Sequence, residues 1–281
     1  MFEQKWALWG ALAILALPGA HLLAITTTTD HNNIAQIGLT PNFTPGVPYS
    51  DLQQGPGVQF VGGATTGGFN TSLNGTARAD YGVLKNFASA YGSAVAVTRS
   101  TWTDMVTITS PSIPNGTPGT LTFSIYINGL LQADLGSSYA AYSVTGDMAG
   151  GFSDLSRTGH LNSPALGGNF TGDQLGQTYT SSPVSFVYGT PMPMSVQLEV
   201  SAVVGYDGNQ NPGSATGNFL NTLLWNGIAN VTANGNAVPT FSATSSSGTN
   251  WANAIADLPE PASLALLAFG SLSLMARRCL R

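Results

Sequence analysis

Hydrophobic and polar residues alternate along the middle of the chain with the period of two that is typical of half-buried β-strands. Residues 120–127 and 196–204 show this most clearly, with Leu121, Phe123 and Ile125 on one face of the first segment. Clusters of Gly, Pro and Asn separate these segments and indicate turns. No long helical pattern competes here, so we expect an all-β domain, either an antiparallel β-sandwich or a jelly roll. Further strands are predicted at residues 75–90, 94–109, 139–144, 184–188, 223–232 and 241–245.

The first 24 residues have the three parts of a secretory signal peptide. A short n-region that contains Lys5 precedes the apolar stretch 6–17, and small residues follow it. We therefore predict that residues 1–24 direct export, with cleavage after Ala20 or Ala24. An uncleaved N-terminal anchor is the alternative.

The last 23 residues combine a proline-containing triplet, an uncharged apolar run at 262–276 and a basic tail. A helix over these fifteen residues rises roughly 22 Å, which falls short of the ~30 Å hydrocarbon core of a bilayer. Snorkelling side chains and local thinning close such a gap, so we predict a weak or temporary transmembrane helix at 262–276. The positive-inside rule places the basic tail in the cytoplasm and the preceding chain outside. The alternative is an ordinary membrane-spanning helix that stays at the end of the protein. The triplet is Pro259, Glu260 and Pro261, and the basic tail contains Arg277, Arg278 and Arg281.

This order of parts resembles the PEP-CTERM sorting signal of Gram-negative bacteria. In that family the signal is recognised by exosortase, a membrane cysteine transpeptidase. The resemblance implies that residues 258–281 hold the protein at the inner membrane until exosortase removes the helix and basic tail, and that the product moves to the cell surface or an exopolysaccharide matrix. Cys279 and Leu280 interrupt an arginine cluster that is more often unbroken in the family. A Gram-positive sortase signal is excluded, because the Leu-Pro at 258–259 is not followed by x-Thr-Gly.

The low charge and the single cysteine exclude several classes of protein function. Residues 25–257, the predicted extracytoplasmic domain, contain four basic and eleven acidic residues, a net charge of −7, so we expect no nucleic-acid partner. Charged residues make up 7% of the chain where about 25% is usual, and Gly, Ser, Thr and Asn take their place. Because Cys279 is the only cysteine, the exported domain has no disulfide, no cysteine nucleophile and no thiolate metal site.

Catalytic motifs are missing from the sequence, including the Gly-x-Ser-x-Gly elbow and the glycine-rich nucleotide loops. Asp147 and Asp154 flank a Gly-Gly loop and would have to converge to act as glycosidase carboxylates; solvated loop aspartates are the favoured interpretation. Asp207, Asn209 and Asn211 place oxygen atoms at alternate positions, as calcium loops do, but the closing glutamate is missing and a hairpin turn is favoured. We therefore expect a protein that is not an enzyme and binds no cofactor.

Three functions remain open. We favour a non-catalytic surface or matrix protein that contacts polysaccharide or neighbouring copies of itself, because of the sorting signal, the low charge and the missing catalytic motifs. Segments such as 77–90 also look like PEP-CTERM ectodomains, and this resemblance brings no catalytic residues. A carbohydrate-binding or carbohydrate-active domain is the second, with sugar rings stacked on the indoles of Trp225 and Trp251. For Trp102, which lies inside a predicted strand, core packing is favoured. Ice binding is the third, since similar tails occur on proteins described so, but no repeat of fixed period supports a regular threonine array.

Overall fold

Antiparallel β-strands build the domain. The computed structural model describes residues 31–41, 51–67, 71–150, 153–205 and 212–256, and a 3-10 helix at Pro164–Leu166 is the one helix in these ranges. The predicted signal peptide and sorting segment lie outside the described residues. The strands are β1 (Asn32–Pro41), β2 (Asp51–Gly55), β3 (Gln59–Gly67), β4 (Thr71–Asp80), β5 (Val83–Tyr91), β6 (Ala94–Thr109), β7 (Pro118–Ile127), β8 (Leu130–Asp134), β9 (Ser137–Met148), β10 (Leu155–Asn162), β11 (Phe170–Gly172), β12 (Gln177–Thr180), β13 (Val184–Val187), β14 (Met192–Gly205), β15 (Ser214–Ala233), β16 (Asn236–Ala237) and β17 (Ser242–Ser245).

These strands form two sheets. The first sheet has the order β11-β10-β9-β14-β6-β1-β2, with β17 paired to the end of β6. The second has the order β12-β7-β15-β5-β4-β3, with β13 beside β7, and β8 and β16 beside β15. Their inward-facing side chains share one apolar core, so the described domain is a two-layer β-sandwich.

Strict alternation along the long strands builds this core. In β6 the inward side chains of Trp102, Val106 and Ile108 are fully buried, whereas Thr103, Met105 and Thr107 on the other face are partly exposed. Small residues let the layers approach each other. A Cβ atom on Gly217 would clash with Cγ1 of Val200 in the opposite sheet, which makes glycine necessary at this inward position.

One polar side chain crosses the core. Asn86 of β5 is fully buried, and its Nδ2 donates to the carbonyl oxygens of Thr98 (3.1 Å) and Leu198 (2.9 Å) in the first sheet. A buried amide that is hydrogen-bonded in this way ties the two layers together at a fixed register.

The structure confirms the all-β, antiparallel prediction and most of the predicted strands. The segment at 94–109 is β6, and the two most clearly alternating segments lie in β7 and β14. The prediction of one strand across 75–90 is wrong, because β4 and β5 form a hairpin there. Its turn consists of Tyr81 and Gly82; Gly82 has φ +80°, and the Asp80 carboxylate accepts a hydrogen bond from the Tyr81 N–H at 2.8 Å.

Candidate functional site

Three tryptophans from distant parts of the chain meet in the core. Trp102 lies in β6, Trp225 in β15, and Trp251 follows β17; each is at most 1% exposed. The rings of Trp102 and Trp251 stack with centroids 4.5 Å apart, and Trp225 meets Trp251 edge-on at 5.3 Å. Phe123 stacks on Trp225, also at 5.3 Å. Offset-stacked and edge-to-face aromatic pairs add to the free energy of area burial, so this cluster is a strong packing centre.

A buried carboxylate sits at the edge of the cluster. Asp104, two residues after Trp102 on the same inward face of β6, is 2% exposed. Its Oδ2 accepts from Nε1 of Trp251 at 2.8 Å and from Oγ of Ser247 at 2.6 Å. Its Oδ1 accepts from the backbone N–H groups of Met105 at 2.9 Å and Ser247 at 3.2 Å. Four donors replace the water that burial removes from this carboxylate, which is the condition for keeping such a group in a core.

These contacts fix the chain from Ser247 to Ile255, which we call the C-terminal anchor. Nε1 of Trp225 donates to the Trp251 carbonyl at 2.9 Å, and the Ile255 N–H donates to the Trp225 carbonyl at 2.9 Å. The Ile255 side chain lies so close over Gly82 that a Cβ atom on this glycine would clash with it. The polypeptide is therefore held against the sandwich up to Ile255.

Tyr81 lies next to the C-terminal anchor. Its ring is 6.4 Å from the Trp251 ring and 5.9 Å from the imidazole of His31. Burial, followed by the negative charges of Asp104 and Asp80, raises the pKa of Tyr81 to about 12. Because its hydroxyl has no hydrogen-bond partner in the described part of the chain, nothing offsets the loss of hydration.

The prediction of exposed indoles for sugar stacking is wrong for both candidates. Trp225 is 1% exposed and Trp251 is fully buried, so no sugar ring reaches either face. Trp102 is also fully buried, which confirms core packing. The local sequence around Trp251 consists of Ser, Thr, Gly and Asn and carries no sign of burial. Its partner was detectable, since Asp104 lies between the inward-facing Trp102 and Val106, and a charge there needs buried donors.

Asp147 and Asp154, the candidate acid/base pair, have different environments. Asp154 accepts a hydrogen bond from the Met148 N–H at 2.8 Å and thereby closes the β9–β10 hairpin. Asp147 lines a shallow pocket of about 290 Å³ together with Asp104 and Pro193. Within the described ranges, no group of three or more His, Cys, Asp or Glu side chains could hold a metal ion. The weak calcium candidate at 207–211 lies outside the described residues.

Comparison with known proteins identifies the segment that follows the C-terminal anchor. Residues 257–278 match the PEP-CTERM protein-sorting motif. The match starts two positions after Ile255 and includes the triplet Pro259-Glu260-Pro261, the apolar run 262–276 and Arg277-Arg278. The PEP-CTERM motif indicates exosortase-dependent sorting of an exported protein, with exosortase as the processing partner.

The comparisons give no information on the β-sandwich itself. No curated protein and no solved structure matches the chain. In the described part of the chain, no helix is long and apolar enough to cross a membrane; the helix predicted at 262–276 lies outside that part.

Proposed function

We propose that this is a non-catalytic surface or exopolysaccharide-matrix protein of a Gram-negative bacterium. Its signal peptide directs it through the inner membrane, the helix at 262–276 holds it there, and exosortase removes the helix with Arg277, Arg278 and Arg281. The observation that carries the proposal is the PEP-CTERM motif at 257–278, directly after a folded and anchored β-sandwich.

The hydrogen bonds of the aspartates support a role without catalysis. Both oxygens of Asp104 are occupied by donors of the domain, and Asp154 holds a hairpin closed. A general acid or base has to offer its oxygen atom to a substrate, whereas these carboxylates stabilise turns and the C-terminal anchor.

The outer face of the first sheet supports contact with polysaccharide. Most cross-strand neighbours on this face carry hydroxyl and amide groups, as at Thr101, Gln197 and Thr145 in one row and Thr103 and Ser195 in the next, where Asp147 is the third member. All of these side chains are partly exposed. Hydroxyl and amide groups both donate and accept hydrogen bonds, which matches the chemistry of a neutral or weakly charged glycan.

Sorting is tested by replacing Pro259, Glu260 and Pro261 with alanine in a host that contains exosortase. We expect the variant to keep its tail and remain membrane-bound. The unchanged protein should lose roughly twenty residues, which lowers its mass by about two kilodaltons. The control is Pro111→Ala, an exposed proline in the turn after β6. Equal processing of all three proteins would refute the sorting assignment and leave the tail as an ordinary membrane-spanning helix.

Polysaccharide contact is tested by cosedimentation of the purified protein with the exopolysaccharide of its host. We expect Gln197→Leu to weaken binding, because the substitution removes an amide from the middle of the polar face. The matched control is Gln132→Leu on β8 in the other sheet, where the side chain is exposed. Unchanged binding by Gln197→Leu would move the contact surface elsewhere, and absence of binding by the unchanged protein would remove the polysaccharide role.

A further inference from the structure

Strand β3 leaves one edge of the second sheet open. Its nine residues pair with β4 in an unbroken register from Gln59 opposite Ala79 to Gly67 opposite Thr71. Among the described strands, β4 is its only partner. Within the described ranges, one row of backbone N–H and C=O groups along β3 therefore has no strand partner and can pair with another strand.

The opposite edge of the same sheet is built differently. It is formed by β12 and β13, which have four residues each. Short edge strands, charges, prolines and bulges are the devices by which proteins prevent pairing between molecules. Strand β3 has none of them: it is long, it holds no charged residue and no proline, and its pairing with β4 shows no register shift.

Apolar side chains are exposed beside this open edge. Phe60 in β3 is 60% exposed, and Val58, just before the strand, is 50% exposed. Strand β2 forms the neighbouring edge of the first sheet, and its Leu52 is 39% exposed. The open side of the sandwich thus combines unpaired backbone groups with apolar surface, as interfaces do.

We propose that β3 pairs with β3 of a second copy of this chain, so that the second sheet continues from one molecule into the next. Identical strands pair antiparallel about a two-fold axis, which makes the edge complementary to itself. The predicted domain carries a net charge of −7, and a strand without charges is where two copies approach with least repulsion.

The side chains favour a register centred on Gly63. This residue points inward, since a Cβ atom on it would lie 2.9 Å from Cδ1 of Ile37, and it presents only backbone to a partner. In that register Phe60 lies opposite Thr66 of the second copy, an aromatic and β-branched pair of the kind that stabilises antiparallel sheets. This inference rests on the proposed function, because a surface or matrix role brings many copies together.

Cysteine cross-linking of the full-length chain tests the pairing. In a Cys279→Ser background, single cysteines are placed at Ala64 and Thr66 in β3, both exposed, and treated with a short bis-maleimide. With the axis at Gly63, the two copies of position 64 are offset by two residues, roughly 7 Å, and those of position 66 by six residues, roughly 20 Å. We expect a covalent dimer from Ala64→Cys at several times the yield from Thr66→Cys.

The matched control is Asn74→Cys on β4. Asn74 is exposed, lies directly opposite Ala64 and is one strand further from the edge. Three strand spacings then separate the two copies, roughly 14 Å, so little dimer should form. Equal yields from Ala64→Cys and Asn74→Cys, or no dimer from either β3 cysteine, would overturn the proposal.

A charge test separates direct pairing from other causes of association. Ala64→Lys combined with Thr66→Lys places four like charges at the paired edge, and we expect dimer to become monomer in sedimentation of the detergent-solubilised chain. The control is Gln132→Lys on β8, which should leave the dimer unchanged. Dimer that survives the two lysines, or that disappears when polysaccharide is digested, would refute direct β3 pairing. Both assays use unprocessed protein, so their outcome is independent of whether the sorting triplet is recognised.

Discussion

Replacing Asp104 should loosen the C-terminal anchor more than any surface substitution. In Asp104→Ala, Nε1 of the buried Trp251 and Oγ of the partly exposed Ser247 lose an acceptor at 2.8 and 2.6 Å. An unsatisfied buried donor costs about 1–3 kcal/mol, so the two together should lower the free energy of unfolding by about 2–6 kcal/mol. Asp104→Asn keeps one acceptor oxygen where the carboxylate has two, and it should cost about 1–3 kcal/mol.

The measurement is urea unfolding of the purified protein, followed by tryptophan fluorescence, because the reporter rings are part of the perturbed cluster. Trp251→Phe completes a double-mutant cycle with Asp104→Ala. A coupling energy of about 1.5–3 kcal/mol is expected for a hydrogen bond to a charged acceptor. Asp134→Ala on the exposed end of β8 is the control and should stay within about 0.5 kcal/mol of the unchanged protein.

The refuting result is specific. If Asp104→Ala unfolds at the same urea concentration as Asp134→Ala, and the cycle with Trp251→Phe is additive, the carboxylate does not stabilise the C-terminal anchor. Loss of stability without coupling to Trp251 would assign the effect to Ser247 and the β6 backbone instead.

Three further predictions concern the core and the tyrosine beside the C-terminal anchor. Gly217→Ala should lower the free energy of unfolding by about 1–3 kcal/mol in urea titrations, because the new methyl group clashes with Val200 across the sheets. Asn86→Ala should cost about 1–3 kcal/mol in the same assay, because the carbonyls of Thr98 and Leu198 in the first sheet lose their buried donor. The raised pKa of Tyr81 means that the neutral phenol stabilises the folded state. Its contribution to the free energy of unfolding is complete below pH ~10, the pKa of an unfolded tyrosine, and is lost as the pH rises through the folded pKa of about 12. The melting temperature should therefore fall between these pH values, and less steeply for Tyr81→Phe.

Each of these predictions has a comparison that can contradict it. Gly57→Ala adds the same methyl group where no atom lies within 4 Å and should be nearly neutral; equal losses at both glycines would exclude the clash as the cause. Asn86→Leu that is as stable as the unchanged protein would mean that the amide bridge is dispensable. An identical pH slope for Tyr81→Phe would place the alkaline loss in other buried tyrosines, such as Tyr139, whose pKa burial raises to about 12.

The long central strands could be predicted from the sequence because their two faces have different surroundings. In β7 and β14 the inward positions are apolar and most outward ones polar, and β6 alternates likewise except for the buried polar residues Thr98, Ser100 and Asp104. Strand β3 was missed for the opposite reason. It lies at an edge, and glycine and alanine take four of its nine positions, where larger side chains would reveal a pattern.

The turn and the buried indole could not be read from local patterns. Tyr81-Gly82 is not one of the usual Asn-Gly or Asp-Gly hairpin sequences, so β4 and β5 looked continuous. Trp251 is buried by residues that are distant in the sequence: Asp104 is 147 residues away and Trp225 is 26 residues away. The sorting segment was predictable because recognition of a short linear signal depends on the order of its parts and not on tertiary contacts.

With the apolar run in the membrane as proposed, the C-terminal anchor also sets the distance between the sandwich and the lipid surface. Six residues, 256–261, separate Ile255 from the apolar run, and fully extended they reach roughly 20 Å. With that run in the membrane as proposed, exosortase has to reach its target in a gap about two helix diameters deep. Release of residues 246–255 from the sandwich would add ten residues, roughly 35 Å, to this reach. The hydrogen bonds of Asp104 and Trp251 therefore determine how near the folded domain stands to the enzyme that processes it.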